Sequence, residues 1–205
     1  MLPHEIEQES FRIIRSEMEA NGFSEAELAV VVRVIHATAD FDFQRILRFH
    51  PRAIEAGIEA IRRGATIVTD VRMVQAGISQ AILAEFGGQT VCDIAHPEVR
   101  EQARAQGLTR SIVAMRRNAA HIDGGIVAIG NAPTALLEVV RLVREEGIRP
   151  ALVVGMPVGF VKAAESKEEL LTLDVPYITA VGRKGGSPVA AATVNALLRL
   201  ARNRQ

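Results

Sequence analysis

Ile126-Val127-Ala128-Ile129-Gly130-Asn131-Ala132-Pro133, with a helical pattern running on from Pro133 to Glu146, is the stretch that decides the fold. A short apolar run that ends polar, followed by an amphipathic helix, is half of a βαβ unit. The same unit recurs on either side. Thr66-Ile67-Val68-Thr69-Asp70 and Gln89-Thr90-Val91-Cys92-Asp93-Ile94 come before it. Ala151-Leu152-Val153-Val154-Gly155 and Val175-Pro176-Tyr177-Ile178-Thr179-Ala180-Val181-Gly182 come after. Helical patterns separate the runs at Arg72 to Glu85 (broken near Gly77), Pro97 to Gln106, Arg110 to Ala120, Val161 to Leu171 and Pro188 to Arg202. Right-handed crossovers then predict a three-layer, doubly wound α/β domain on a mainly parallel five-stranded sheet.

Ahead of this rhythm the pattern predicts extra N-terminal helices that fold back over the sheet. Residues 4 to 21 place Ile6, Phe11, Ile13, Ile14 and Met18 at helical spacing, ending at Asn21-Gly22. Ser24-Glu25-Ala26-Glu27 is a capping box for a second helix, and Leu28 to Ile35 is apolar apart from Arg33. A buried helix that delivers Arg33 and His36 to one face needs a reason. Asp40 lies four residues on and could hold one imidazole nitrogen, if the helix runs that far. Phe41-Asp42-Phe43 then reads as a chain leaving with aromatic anchors. On pattern alone a histidine beside an apolar segment is more often structural than catalytic, and Ser10 reads as a helix-surface hydroxyl. After Phe49-His50-Pro51, with Pro51 at a first helical position, a further helix runs to Arg63 and closes at Gly64.

The 205 residues suit one domain over 1–205, since single cores serve up to ~250 residues. Lysine plus arginine and aspartate plus glutamate each total 24, for a formal charge of zero. That balance argues against a nucleic-acid or membrane-surface partner. Cys92 is the only cysteine, so no internal disulfide forms and a cytoplasmic home is expected. The opening Met-Leu-Pro-His-Glu is unlike a signal peptide, and no apolar run reaches the ~20 residues of a membrane span. The five histidines are scattered without metal-ligand spacing, and neither a P-loop nor GxGxxG is present.

In doubly wound folds ligands sit outside the carboxyl ends of the strands. Here those ends read Thr69-Asp70, Asp93, Gly130-Asn131-Ala132-Pro133-Thr134, Gly155-Met156-Pro157-Val158-Gly159-Phe160 and Gly182-Arg183-Lys184-Gly185-Gly186-Ser187. Glycines allow close backbone approach, and helix N-termini offer free N–H groups to anions. The Arg183–Ser187 turn suits a carboxylate or phosphate. Arg110 stands at a helix start, where a cation opposes the helix dipole and invites an anion. Arg116-Arg117 reads as a solvated face, and His121-Ile122-Asp123-Gly124-Gly125 as a loop.

Taken together, Arg33-Val34-Ile35-His36-Ala37-Thr38-Ala39-Asp40-Phe41, Ile129-Gly130-Asn131-Ala132-Pro133-Thr134-Ala135-Leu136, Pro157 to Lys167 and Gly182 to Ser187 resemble the precorrin-8X methylmutase family, its cobalt-precorrin-8 form included. The likeness extends from Ile6-Glu7-Gln8-Glu9-Ser10-Phe11 to Asn195-Ala196-Leu197-Leu198, and is weakest from Met115 to Gly125. It implies a homodimer of flavodoxin-like subunits. It also implies an isomerase that moves a methyl group on a tetrapyrrole from ring carbon C-11 to C-12, giving hydrogenobyrinate or its cobalt counterpart. By the same resemblance His36 is the catalytic acid, and Ser10 and Arg33 contact substrate. Such a substrate bears many carboxylates, which makes Arg33, Arg110 and Lys184 candidates for charge-assisted contacts. No cofactor and no metal ligands are expected. The alternative is a carrier that binds a corrinoid without transforming it.

Overall fold

Each of the five apolar runs forms a strand in the computed structural model, which describes residues 2–19 and 22–203. The N-terminal layer is α1 (Pro3–Glu17), α2 (Glu25–Thr38), α3 (Phe43–Ile46), β1 (Leu47–Phe49) and α4 (Ala53–Arg62). Next come β2 (Ile67–Thr69), α5 (Arg72–Gly77), α6 (Gln80–Glu85), β3 (Thr90–Val91), α7 (Pro97–Gln106), α8 (Arg110–Arg117) and α9 (Ala119–Ile122). The chain closes with β4 (Ile126–Ile129), α10 (Pro133–Glu146), β5 (Leu152–Gly155), α11 (Ala163–Leu171), β6 (Tyr177–Ala180) and α12 (Ser187–Asn203).

The sheet order is β1-β6-β5-β4-β2-β3, parallel throughout except that β1 runs antiparallel to β6. Numbered among themselves, the parallel strands follow 2-1-3-4-5, the flavodoxin-like order, with the reversal between β2 and β4. The expected five strands are therefore six. The additional one, β1, was unreadable because three residues with Arg48 exposed between Leu47 and Phe49 give no run to detect. Its register, Leu47 against Ala180 and Phe49 against Ile178, closes the sheet edge beside the last parallel strand.

Period-two alternation sorts the strand side chains into two cores. Ile67, Ile126, Ala128, Leu152, Val154 and Ile178 face the layer of α2, α4, α5, α6 and α12. Val68, Val127, Ile129 and Val153 face the layer of α7, α8, α10 and α11. Helix α12 lies in the middle of the first layer and is rich in small residues, so neighbours approach closely. A Cβ at Gly77 in α5 would meet that of Ala191 at 2.7 Å, which glycine avoids.

Several boundaries differ from the pattern for local reasons. Helix α1 stops at Glu17, and Asn21 lies outside the described residues. Pro51 occupies a turn, with Arg52 as N-cap of α4. Helix α11 starts at Ala163, not Val161, because Lys162 has φ 64° and cannot continue a right-handed helix. His121 and Ile122 belong to the short helix α9, anchored by the fully buried Ile122, where a loop was expected. Arg116 and Arg117 lie on the solvated face, as expected, and are ion-paired there. Arg116 pairs at 2.8 Å with the nearly buried Glu138, and Arg117 pairs with Asp93 and Glu98. Among the described residues no helix is long and apolar enough to cross a membrane.

Candidate active site

Helix α2 begins as its capping box requires. Glu27 N–H donates to the Ser24 hydroxyl at 3.3 Å, and Ser24 N–H to the Glu27 carboxylate at 2.8 Å. From there Val30, Val31, Val34 and Ile35 are almost fully buried, and the register that buries them leaves His36 exposed in the last turn. The imidazole stands edge-on to the Phe11 ring at 5.2 Å between centroids. The same ring carries the Arg33 guanidinium at 5.0 Å, so α1 clamps both α2 side chains with one aromatic. Arg33 is 14% exposed and donates to Glu7 at 3.1 Å. Its charge is opposed first by burial and then by nearby Arg199, with Glu7 compensating.

Two grooves meet at His36. One, of about 250 Å³, is lined by Ser10, Ile13, Ile35 and Phe41; the other, about 260 Å³, by Arg33, Gly77, Pro188 and Asn195. The Ser10 hydroxyl donates to the Ile6 carbonyl at 2.8 Å. Asn195 braces the second groove, accepting from Ser79 N–H and donating to Gly77 O, both at 2.8 Å. Ser10, Arg33 and His36 are thus gathered by α1 and α2. Phe11, which ties them together, reads in the sequence only as one apolar position of an amphipathic helix.

Asp40 does not hold the imidazole. Ala39 closes α2 in the left-handed conformation, φ 52°, and turns the chain off the helix axis. Asp40 and Asp42 instead both accept from Lys184 Nζ at 2.6 Å. That hydrogen bond holds the Asp40 carboxyl below its usual range and raises the lysine. Lys184 therefore ties the β6–α12 turn to the end of the helix that carries His36, its half-exposed ammonium shared by two carboxylates. The turn is fixed from beneath as well. Gly186 N–H donates to Met156 O at 2.8 Å, and a Cβ on Gly185 would collide with that same carbonyl.

Below the turn sits Lys167, fully buried, its Nζ donating to the Lys184 carbonyl at 2.8 Å. Burial lowers it from the usual 10.5 to about 8. The folded chain therefore releases this proton first, and between those values the unfolded chain binds more protons, so this contribution to stability increases with pH. Relative to a Lys167→Met variant, the wild-type unfolding free energy rises by up to about 3 kcal/mol across that window. Parallel pH dependences in urea titrations of the two proteins would refute this.

The N–H groups at the switch point are not open to a ligand. Asp70, at the end of β2 and fully buried, accepts from Gly130, Asn131 and Ala132 N–H at 3.0, 2.8 and 2.7 Å. Burial pushes its carboxyl up while the three donors pull it down. The chain's own carboxylate takes the place that a phosphate takes in related topologies. Arg110 keeps an exposed side chain at the start of α8, in the layer on the opposite face of the sheet from α2. One chain does not bring it beside His36. A further cavity of about 280 Å³ lies at the amino ends of β5 and β6, among Arg52, Arg63 and Arg149. Size alone does not pick out a site here; that cavity also holds Glu59 and Asp174, whereas the two grooves at His36 set an imidazole beside Ser10 and Arg33.

Against known proteins, the family model described as precorrin-8X methylmutase matches residues 5–200. A cobalt-precorrin-8 methylmutase of Priestia megaterium is 50% identical over 97% of this chain and 88% of its own length. A precorrin-8X methylmutase of Pseudomonas aeruginosa is 42% identical over 94% and 93% respectively. The crystal structure of a precorrin-8X methylmutase from Thermus thermophilus superposes with a TM-score of 0.92 at 47% identity, covering 98% of this chain and 97% of that one.

Proposed function

The chain belongs to the precorrin-8X methylmutase family, and on that premise we propose that its chemistry takes place in the two grooves that meet at His36. It is an isomerase of cobalamin biosynthesis that shifts a methyl group within precorrin-8X or its cobalt form. In our reading the methyl passes from C-11 to C-12. One carbon–carbon bond breaks and one forms within the same molecule, so no external nucleophile or electron acceptor enters the balance. His36, as imidazolium, donates to a ring nitrogen next to the migrating methyl, withdraws density from the π-system and eases the sigmatropic shift. The observation that carries this is the placement of an exposed imidazole between an apolar groove lined by Ser10 and a second groove lined by Arg33 and Asn195. A positioned acid contributes ~100- to 10,000-fold, or about 3–5 kcal/mol of barrier. A carrier needs no acid at this junction, and the family gives that alternative no support.

Ser10 supplies a neutral hydrogen bond to the substrate and Arg33 a charged one. Reaching in from a second subunit, Arg110 takes a peripheral carboxylate, since within one chain it lies across the sheet from His36, while Lys184 acts by holding the α2 terminus in place. Arg33→Met is expected to raise KM about tenfold or more, and Ser10→Ala only a few-fold, in line with charged against neutral hydrogen bonds. Equal KM values for the two variants would refute the assignment. Residues 1–205 act as one domain in the cytoplasm. We also read the working form as a homodimer, because Phe160, Val161 and Met73 leave apolar surface 69–83% exposed. Sedimentation equilibrium at a single 22.2 kDa mass would overturn that.

A further inference from the structure

The groove does not end at Arg33. Beyond it, between α1, α2 and α12, lies a cavity of about 160 Å³ lined by Phe11, Arg15, Val32, Arg33, Ala196 and Arg199. Arg33 lines both spaces, and it stands about one helical turn, ~5 Å along α2, from His36. The cavity's charges do not balance. Arg15 leans outward to Glu25 at 3.6 Å, which leaves Arg33 and Arg199 sharing Glu7. Glu7 stands 3.1 Å from Arg33 but 3.7 Å from Arg199, beyond hydrogen-bond reach. The Arg199 Nε is buried and has no hydrogen-bond partner among the described residues. A buried guanidinium N–H without an acceptor is costly, and such groups in native folds call for an explanation.

We propose that this cavity is a subsite for one peripheral carboxylate arm of the corrinoid, with Arg199 as a further substrate-binding residue and Glu7 as the carboxylate that competes for it. A second carboxylate beside Glu7 neutralises the surplus charge and gives Arg199 Nε its acceptor in a planar, two-pronged contact. The volume fits that occupant. At ~30 Å³ per water-sized group, it holds about five non-hydrogen atoms, enough for an acetate or propionate arm and far too few for the macrocycle. Arg199 would fix which edge of the ring enters first, and so which carbon faces His36.

This inference rests on reading the His36 groove as the corrinoid site, and the test separates the two. Hydrogenobyrinate is titrated, by its visible absorption, into wild type, Arg199→Gln, Arg199→Lys and Glu7→Gln. Arg199→Gln is expected to weaken binding about tenfold or more, as loss of a charged hydrogen bond does. Arg199→Lys, which keeps the charge but lacks Nε, falls between. Glu7→Gln removes the competitor and tightens binding several-fold, a sign that loss of a merely structural ion pair would not give. With the fully amidated corrin, whose arms carry no charge, wild type and Arg199→Gln bind alike. Wild-type binding with Arg199→Gln within twofold of it would overturn the subsite and leave the His36 groove standing. Should Arg199→Gln fail to fold, an unchanged or weaker affinity in Glu7→Gln overturns it equally. If wild type itself does not bind, the groove reading falls and takes this inference with it.

Discussion

His36→Ala lowers turnover of precorrin-8X by about 100- to 10,000-fold, the contribution of one well-placed acid. The protein stays folded. His36 is exposed, and its ring meets Phe11 edge-on. An aromatic pair of that kind is worth about 0.5–1.5 kcal/mol, which for a chain of this size corresponds to a melting shift of about 2–5 °C. The loss therefore falls on the rate and not on the amount of folded enzyme. In the role we propose the imidazole acts on the rearranging ring and not on the peripheral arms, so kcat is expected to fall while product affinity changes little. Single-turnover kinetics beside a melting curve read both quantities. A variant that turns over within tenfold of wild type would remove His36 from the chemistry.

Asp70→Ala is expected to cost about 3–5 kcal/mol of stability, from three charge-assisted hydrogen bonds lost together. It strips the acceptor from three backbone N–H groups at the start of α10 at once, next to a site with no exposed surface of its own. The buried Gly130 N–H left without a partner costs about 1–3 kcal/mol, and the part-buried Asn131 and Ala132 N–H groups lose charge-assisted bonds that water replaces only in part. At about 2–4 °C per kcal/mol, the midpoint drops by on the order of 10 °C. Asp70→Asn loses less, since its one carbonyl oxygen still accepts while its amide N–H meets a backbone donor. Denaturant titration that finds Asp70→Ala within 1 kcal/mol of wild type would refute the account. The functional consequence is equally direct. With the crevice between β2 and β4 filled from within, the site we propose lies instead at the His36 grooves beside α1, α2 and α12.

The parallel strands were legible because a four-residue apolar run between helical patterns has few other readings. The Ser24–Glu27 box was legible because its partners lie three residues apart and its chemistry is local. What stayed hidden depends on conformations or distances that spacing does not encode. Nothing about an alanine announces the left-handed turn at Ala39, so Asp40 looked like a partner for His36. Lys184 looked like a free cation because its carboxylates come from 142 and 144 residues earlier. The N–H groups of Gly130 to Ala132 looked available because Asp70 is about 60 residues away. Arg199 sits near the end of the last helix, where an arginine is ordinarily solvated. At the site, Ser10, Arg33 and His36 come together within two adjacent helices, whereas Arg110 stands on the other face of the sheet.

The most direct test is an ultraviolet–visible spectrum of the purified protein incubated with precorrin-8X, recorded beside His36→Ala. The account predicts that wild type alone develops the absorption of the rearranged corrin chromophore, while the variant leaves the substrate spectrum in place. The same spectral shift in both proteins would mean binding without chemistry, and would contradict the assignment of the methyl shift to His36.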